Sequence, residues 1–327
     1  MTERSDRLTS IAETIKDYRA GEIDEPSPEH VDRWVNQFDD DVQLPILTEL
    51  DYVLKRTYIN RERVLRFLQN VIGTKNLVGA DKCSFWRAAN FLDIQGGGNS
   101  QREMLSLFES LLFNDCGLRF ADCGEKDETF IYLDDASFTG NRIRNDIASW
   151  VERDAPQRAT LHIVTMAFHR SGQYYAKREI NKTAKVASKA IKVQWWRAFE
   201  IEDKKSEVNT SDVLRPTRLP EIEEVKAYAD GLKYPIVLRK PGNRGEHEFF
   251  SSDEGRQVLE QELLTAGVSI RERCPYLHEY QRPLGNMVLD SLGFGSTLVT
   301  FRNCPNNTPL AFWVDDPWYP LFSRKIN

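Results

Sequence analysis

One segment restricts the fold of this chain more than any other: a short apolar run that ends in two adjacent acids and a threonine–glycine turn. The run is Phe130–Leu133, the acids are Asp134 and Asp135, and the turn ends with Thr139-Gly140. An apolar run of this length predicts a buried strand, and the carboxyl end of such a strand faces the crevice where open α/β sheets bind ligands. The segment therefore predicts a parallel α/β sheet with a site at this edge.

Strand and helix patterns alternate along the chain around this segment. Further strands are predicted at 91–94, 161–167 and 191–199, and helices at 100–113, 142–151 and 172–189. Alternation of this kind is typical of a mainly parallel sheet covered by helices. We therefore expect this sheet to form the core of the protein, over residues 81–200.

The two ends of the chain differ from this central region. Residues 1–80 carry apolar side chains at helical spacing and predict an N-terminal helical region. Residues 201–327 predict a C-terminal α+β extension that completes or caps the core. Within it, strands are predicted at 296–301 and 310–314.

Composition excludes several classes of protein. The chain has 327 residues, 40% of them hydrophobic, and a net charge of −6, so it has no overall attraction to nucleic acid. It has no apolar run long enough to span a bilayer, and its first residues lack the apolar core of a signal peptide. The five cysteines lack CxxC spacing, so we expect neither a disulfide framework nor a zinc site, and a cytoplasmic location.

The acidic pair and the turn have the chemistry of a ribose-phosphate site. Adjacent carboxylates are unfavourable unless a cation or sugar hydroxyls share their charge. The turn leads into a helix N-terminus, whose backbone N–H groups hold phosphate, and a glycine there allows close approach. The simpler alternative is a strand that ends in a solvated turn. The candidate phosphate-binding residues are Ala136, Ser137, Phe138, Thr139, Gly140 and Asn141.

This stretch resembles the phosphoribosyl-pyrophosphate loop of type I phosphoribosyltransferases in the order and spacing of its strand, acids and Thr-Gly. The resemblance implies that fold, with Asp134 and Asp135 as catalytic residues on the ribose hydroxyls and Mg²⁺ nearby. Three features depart from the family. Arg142 stands where the loop often has Thr or Ser, and Phe138 stands where purine-salvage members have an Asp base. Residues 115–128 leave little room for the hairpin that usually closes the site.

A glycine-rich loop precedes the acidic strand, in the same chain order as the pyrophosphate loop of that family. A plain tight turn explains the glycines equally well. The candidate residues are Gly96, Gly97, Gly98, Asn99 and Ser100.

Polar residues after later strands are further candidates for substrate contacts. His169 and Arg170 follow the next strand at the same edge of the sheet, and Asn306 and Asn307 lie in a polar turn. A surface His-Arg pair and asparagines that bond their own backbone are the simpler interpretations. The lysines from 177 to 192 suggest direct nucleic-acid binding as a further function. A solvated helix face is the simpler interpretation of these lysines.

Over most of its length the chain resembles a bacterial phosphoribosyltransferase-like family of conflict and antiphage systems, which includes retron-associated effectors. The shared segments are Trp34–Phe38, Leu133–Gly140 and the tail segments 283–285, 293–295, 305–309 and 318–322. The resemblance implies a defence effector that binds phosphoribosyl pyrophosphate or a nucleotide, with Mg²⁺. It also implies a protein or ribonucleoprotein partner from the same operon, and no membrane partner. Two functions stay open: reaction at ribose C1, and non-catalytic sensing of the ligand.

Overall fold

The computed structural model describes residues 2–97, 99–126 and 128–325 of the chain. Its helices are α1 (Glu3–Ile15), α2 (Pro28–Val35), α3 (Asp40–Thr57), α4 (Arg61–Gly73), α5 (Lys75–Val78), α6 (Lys82–Ala88), α7 (Ser100–Cys116), α8 (Asn141–Arg153), α9 (Arg170–Val186), α10 (Glu223–Asp230), α11 (Asp253–Arg273) and α12 (Leu310–Trp313). Its strands are β1 (Tyr58–Ile59), β2 (Asn90–Phe91), β3 (Thr129–Ser137), β4 (Arg158–His169), β5 (Ala190–Ile201), β6 (Gln281–Arg282), β7 (Gly285–Asn286) and β8 (Val299–Thr300). Within these residues, no helix is long and apolar enough to cross a bilayer.

The strands predicted in the middle of the chain form one parallel sheet in residues 62–201, a compact unit that we call the sheet unit. The strand order is β2-β3-β4-β5, and each neighbouring pair is parallel. β3 and β4 are the inner strands, and most of their residues are buried. The prediction of an α/β fold with a mainly parallel sheet is confirmed. The first predicted strand is shorter than expected, because β2 ends at Phe91.

Helices cover both faces of this sheet. α8 and α9 bury one face in an apolar cluster that includes Tyr132, Ile147 and Ile180. Alternate strand residues point to the opposite face, where the Phe85 ring of α6 lies 6.1 Å from the His162 ring of β4. Because both faces are packed, the point at which β3 leaves the core is well defined.

The turn between β3 and α8 is held by direct backbone contact with α9. Gly140 has a φ of +74°, and a Cβ added there would lie 2.1 Å from the carbonyl oxygen of Gly172. A Cβ added at Gly172 would lie 1.9 Å from the carbonyl oxygen of Phe138. Neither position has room for a side chain, so the two glycines allow the turn and α9 to touch.

The other described residues, up to 61 and from 202 onward, form a second compact unit that we call the split unit. Its two parts are joined by the parallel pairing of β1 with β8 and by the Tyr18 hydroxyl, which donates to the Ser323 carbonyl at 2.9 Å. The sequence-based boundaries at 80 and 200 stay a prediction, and the compact units divide the chain at residues 61 and 201.

The prediction of a strand at 310–314 is wrong, because most of the segment forms α12. A short run that is apolar throughout does not distinguish a buried helix from a buried strand. Pro309 precedes the helix, and the Ala311 carbonyl accepts hydrogen bonds from the indoles of Trp34 (2.8 Å) and Trp318 (2.9 Å). The neighbouring predicted strand is reduced to the two residues of β8.

The cysteine spacing predicted no disulfide framework, and it did not reveal the one disulfide that the described residues contain. Cys83 of α6 and Cys116 of α7 are bonded, with their Cα atoms 5.5 Å apart. The two helices are held together nearby by the rings of Trp86 and Phe108, whose centroids are 5.0 Å apart. Cysteine spacing along the sequence carries no information on this tertiary contact, so composition could not reveal the bond.

We predict that Gly172→Ala lowers the free energy of unfolding by about 1–3 kcal/mol, because its methyl group must displace the turn at Phe138. Gly73→Ala is the matched control, since a Cβ there meets no atom within 4 Å and helix propensity favours alanine. Urea unfolding of both variants measures the difference. Equal stability of the two would contradict the backbone contact.

Reduction of the Cys83–Cys116 disulfide is expected to lower the free energy of unfolding by about 3–4 kcal/mol. This is the loop-closure contribution for a sequence separation of 33 residues. Denaturant unfolding with and without a reductant provides the measurement, and a Cys83→Ser/Cys116→Ser variant should not respond to the reductant. A thiol titration of the unreduced, unfolded chain that finds all five cysteines free would refute the bond.

Candidate functional site

The acidic pair lies at the carboxyl end of β3. Asp134 is 3% exposed, and Asp135 is half-buried. The Asp135 N–H donates to the Asp134 carboxylate (2.9 Å), and the Ala136 N–H donates to the Asp135 carboxylate (2.7 Å). The Ser100 hydroxyl lies near Asp134, and it bonds to the side-chain amide of Gln95 at 3.2 Å. The backbone therefore fixes both carboxylates at the edge of the sheet.

The Asp134 carboxyl is buried without a cationic side chain bonded to it. Burial, and then the negative charge of Asp135, raise the pKa of Asp134 to about 8. The Ser100 hydroxyl, the Asp135 N–H and the charge of Arg142 offset this only in part. In the part of the chain that the structure describes, no Lys or Arg forms an ion pair with Asp134. A bound cation or sugar hydroxyls would stabilise its ionised form.

The turn that follows the acids leads directly into α8. Gly140 precedes the helix and provides no side chain to cap it. The Thr139 hydroxyl accepts a hydrogen bond from the Asn141 N–H at 3.4 Å. N–H groups in the first turn of a helix have no intrahelical acceptor, and the helix dipole adds positive potential there. The arrangement suits a phosphate next to the acidic pair.

The structure brings the glycine-rich loop to the same edge of the sheet. Arg142 of α8 donates to the Gly97 carbonyl, and Gly96 lies near the Asp146 carboxylate. Ser100, the first residue of α7, lies near Asp134. The N-termini of α7 and α8 therefore both lie beside the acidic pair.

A glutamine anchors the start of this loop. The Gln101 side-chain oxygen accepts hydrogen bonds from the N–H groups of Ile94 and Gln95, both at 2.8 Å. Asn99 is the residue before α7 and makes no side-chain capping bond. Gly98, the third glycine of the predicted loop, lies outside the described residues. The sequence did not indicate that Gln101 anchors this loop, because a polar residue in the first turn of a helix is common.

Asp146 is a second residue that the sequence patterns did not single out. It accepts a hydrogen bond from the Tyr132 hydroxyl at 2.8 Å, and burial raises the pKa of its carboxyl. It follows Arg142 by four positions and so lies on the same face of α8. That spacing is the signal that would have placed it near the site.

His169 lies against the turn 136–141. Arg170 pairs with an acidic residue of β5. His169 is fully buried, with Nδ1 3.3 Å from the Ser137 carbonyl oxygen and its ring centroid 4.9 Å from that of Phe138. Arg170 pairs with Glu200 at 2.5 Å. The contacts of these two residues with a ligand stay a prediction.

The two predicted asparagines belong to the split unit. The Asn306 carbonyl accepts a hydrogen bond from the Asn286 N–H (2.7 Å), and the Asn307 side-chain amide donates to the Asn286 carbonyl (3.0 Å). The backbone of Asn306 and the side chain of Asn307 therefore both bond the backbone of β7, which ends at Asn286. Their contact with a ligand stays a prediction.

The segment in which a closing hairpin would lie packs on the sheet unit instead. Its described residues from 117 to 126 include a 3-10 helix and no strand. The Phe120 ring stacks on that of Phe91 with centroids 4.0 Å apart, and the Phe120 N–H donates to Glu109 at 2.8 Å. A pocket of about 600 Å³ lies beside this segment. The residues that line it include Asp93 and Arg102 and none of the predicted site residues.

The acidic pair suits Mg²⁺ as part of a larger set of oxygen ligands. Across residues 2–97, 99–126 and 128–325, no three His, Cys, Asp or Glu side chains are grouped as a metal site. Mg²⁺ is usually bound by one or two carboxylates together with phosphate oxygens and water. Asp134 and Asp135 fit that description, because they are adjacent carboxylates and no Lys or Arg of the described residues pairs with the buried Asp134.

Comparison with known proteins relates the chain to one described family. The model of the PRTase-CE family matches residues 31–324, which include the acidic pair, the glycine-rich loop and the two asparagines. No curated protein and no solved structure matches the chain.

The stability of the chain should depend on pH through Asp134. Its pKa is about 8 in the folded chain and about 4 in the unfolded chain, so the folded state binds this proton more tightly. The stabilisation is complete below about pH 4 and is lost as the pH rises toward 8, at up to about 1.4 kcal/mol per pH unit. Unfolding of wild type and Asp134→Asn from pH 4 to 9 tests this. The variant should gain relative stability across that window, and a constant difference would contradict the prediction.

Proposed function

The chain belongs to the PRTase-CE family, and we propose that it binds a ligand that carries a ribose 5-phosphate, either phosphoribosyl pyrophosphate or a nucleotide, in a type I phosphoribosyltransferase fold. One observation carries the proposal. Asp134 is a buried carboxyl that pairs with no Lys or Arg of the described residues, and it lies beside the N-termini of α7 and α8. Ribose hydroxyls, a phosphate and a divalent cation together supply the donors and charges that this arrangement lacks.

Each part of the site takes one part of the ligand in this proposal. Asp134 and Asp135 accept hydrogen bonds from the ribose hydroxyls. The turn 136–141 and the first turn of α8 hold the 5-phosphate. The described loop residues Gly96, Gly97 and Asn99, with Ser100, face the pyrophosphate. Mg²⁺, held by the acidic pair and ligand oxygens, would neutralise the charge of the pyrophosphate when bound.

Transfer or hydrolysis at ribose C1 is the reaction that this site would support. Bond cleavage there develops positive charge on the sugar ring, which nearby carboxylates stabilise. A sensor that binds the ligand without reaction is the alternative. Two features favour the sensor. Phe138, which contacts His169, stands at the position where purine-salvage members have an Asp that acts as base. The segment 117–126 packs on β2 and α7 and forms no closing hairpin in its described residues. Both functions use the same pocket.

The proposal extends to a role in bacterial defence, on the basis of the family resemblance of the whole chain. In that setting the bound metabolite or nucleotide is consumed or sensed by the sheet unit. A protein or ribonucleoprotein partner encoded beside it would regulate that activity. Co-purification of the tagged chain with products of its neighbouring genes tests this part separately.

Ligand binding is tested by calorimetry with Mg²⁺ and, in turn, phosphoribosyl pyrophosphate, ribose 5-phosphate, NAD and nucleotides. Asp134→Asn/Asp135→Asn should weaken binding of the preferred ligand at least tenfold. Glu152→Gln/Asp154→Asn makes the same change in charge at exposed positions of the sheet unit and should bind as wild type does. Equal binding by wild type and the Asp134/Asp135 variant would refute the proposed site.

Catalysis is tested on the same ligands by following pyrophosphate, phosphate and free base by ³¹P NMR and chromatography. Turnover that is lost in the Asp134/Asp135 variant and kept in the Glu152/Asp154 variant supports transfer or hydrolysis. Tight binding with no turnover of any ligand would refute catalysis in favour of the sensor.

A further inference from the structure

A strong concentration of positive charge lies in one part of the sheet unit. Residues 156–199 contain nine lysines and arginines and one acid, Glu179, in a chain whose net charge is −6. This stretch therefore carries a charge of +8 and the rest of the chain −14. Two of the nine, Arg170 and Arg197, pair with Glu200, which directly follows the stretch. An excess of positive charge in one stretch of an acidic chain favours binding of a polyanion there over the rest of the chain. The nine basic residues are Arg158, Arg170, Lys177, Arg178, Lys182, Lys185, Lys189, Lys192 and Arg197.

Helix α9 arranges part of this charge on a single exposed face. At 3.6 residues per turn, its exposed aromatic and basic residues fall within roughly 140° of the helix surface. The opposite face, which includes Ala176 and Ile180, is buried against the sheet. The set, which we call the basic face, is Tyr174, Lys177, Arg178, Lys182 and Lys185, all exposed.

Three lysines of the basic face are not neutralised by carboxylates. In the described part of the chain, Lys177, Lys182 and Lys185 form no ion pair, whereas Arg178 pairs with Glu179. On other helices some basic residues pair with an acid one turn away, such as Lys55 with Asp51 and Arg66 with Glu62. On α9 the acid one turn before Lys182 is Glu179, and its carboxylate pairs with Arg178 instead. Exposed cations without counter-ions keep their full attraction for phosphate.

From these observations we propose that the basic face of α9 binds single-stranded nucleic acid. The lysines span about 12 Å of helix, enough to follow a phosphate backbone. Tyr174 is 61% exposed, beside Lys177, and offers a ring on which an unpaired base can stack. An anionic membrane is a poorer fit, because the apolar face of α9 is buried against the sheet and is not available to lipid.

The position of α9 gives this surface a direct relation to the ribose-phosphate site. Gly172, in the first turn of α9, touches the β3–α8 turn at Phe138, and Tyr174 lies two residues further along. A strand that follows α9 toward its N-terminus therefore approaches that turn. The inference stands apart from the proposed ligand, since it rests on the charge and exposure of α9 alone.

Fluorescence anisotropy with a labelled 20-nucleotide oligo(dT), at 50 to 200 mM salt, tests the proposal on the full chain. Lys177→Gln/Lys182→Gln/Lys185→Gln should weaken binding at least tenfold at 50 mM salt. It should also reduce the slope of log affinity against log salt by about 2, at about 0.7 per phosphate contact. The control Lys75→Gln/Lys126→Gln/Lys205→Gln changes three exposed lysines elsewhere and should stay within twofold of wild type.

Further arms separate the alternatives. Tyr174→Leu should weaken oligo(dT) binding at least fivefold and leave binding of an abasic oligomer unchanged. Asp134→Asn/Asp135→Asn removes two negative charges beside the turn that the strand approaches, so this variant should bind oligo(dT) at least as tightly as wild type does even where it fails to bind the ribose-phosphate ligand. No oligo(dT) binding by wild type at 50 mM salt, equal losses in both lysine triples, or equal affinity for polyglutamate or phosphatidylglycerol vesicles would each overturn it.

Discussion

The contact between two stretches of backbone, the Phe138–Gly140 turn and the start of α9, is the constraint on which the candidate site depends. It exists only because Gly140 and Gly172 have no side chains. Through it the turn after β3 is supported by a helix that itself packs on the sheet. The turn therefore has little freedom to move, and the acidic pair, which precedes it directly, is held at a fixed distance from the N-terminus of α8.

Two helix N-termini meet a pair of carboxylates in this arrangement. A hydrogen bond from Arg142, in the first turn of α8, to the Gly97 carbonyl ties the loop before α7 to α8. The positive potential of the helix ends favours negative charge beside them. Burial, and then the charge of Asp135, nevertheless raise the pKa of Asp134. A site of this kind is prepared for a ligand that has both negative phosphates and neutral hydroxyls.

Local patterns predicted the parts of this structure that depend on local sequence. β3 and β4 were located because apolar runs are typical of buried parallel strands. β5 lies at the edge of the sheet, and it mixes polar and apolar residues that are mostly half-buried or exposed. The acidic turn was recognisable because its order and spacing lie within eight residues. The disulfide, the helix at Leu310–Trp313 and the role of Asp146 depend on contacts between distant segments. The pairing of β1 with β8 joins positions 58–59 to 299–300, and no pattern along the chain records it.

The division of the split unit has a consequence for synthesis on the ribosome. The sheet unit is continuous, whereas α3 packs on α11 and β1 pairs with β8, and both of these partners follow residue 201 in the chain. At 5–20 residues per second, the interval between Ile201 and Ser323 lasts roughly 6–25 s. During that time α1, α2 and α3 can pack on one another, but the surface of α3 that α11 covers has no partner. That surface of the nascent chain is therefore available to a chaperone until α11 has followed.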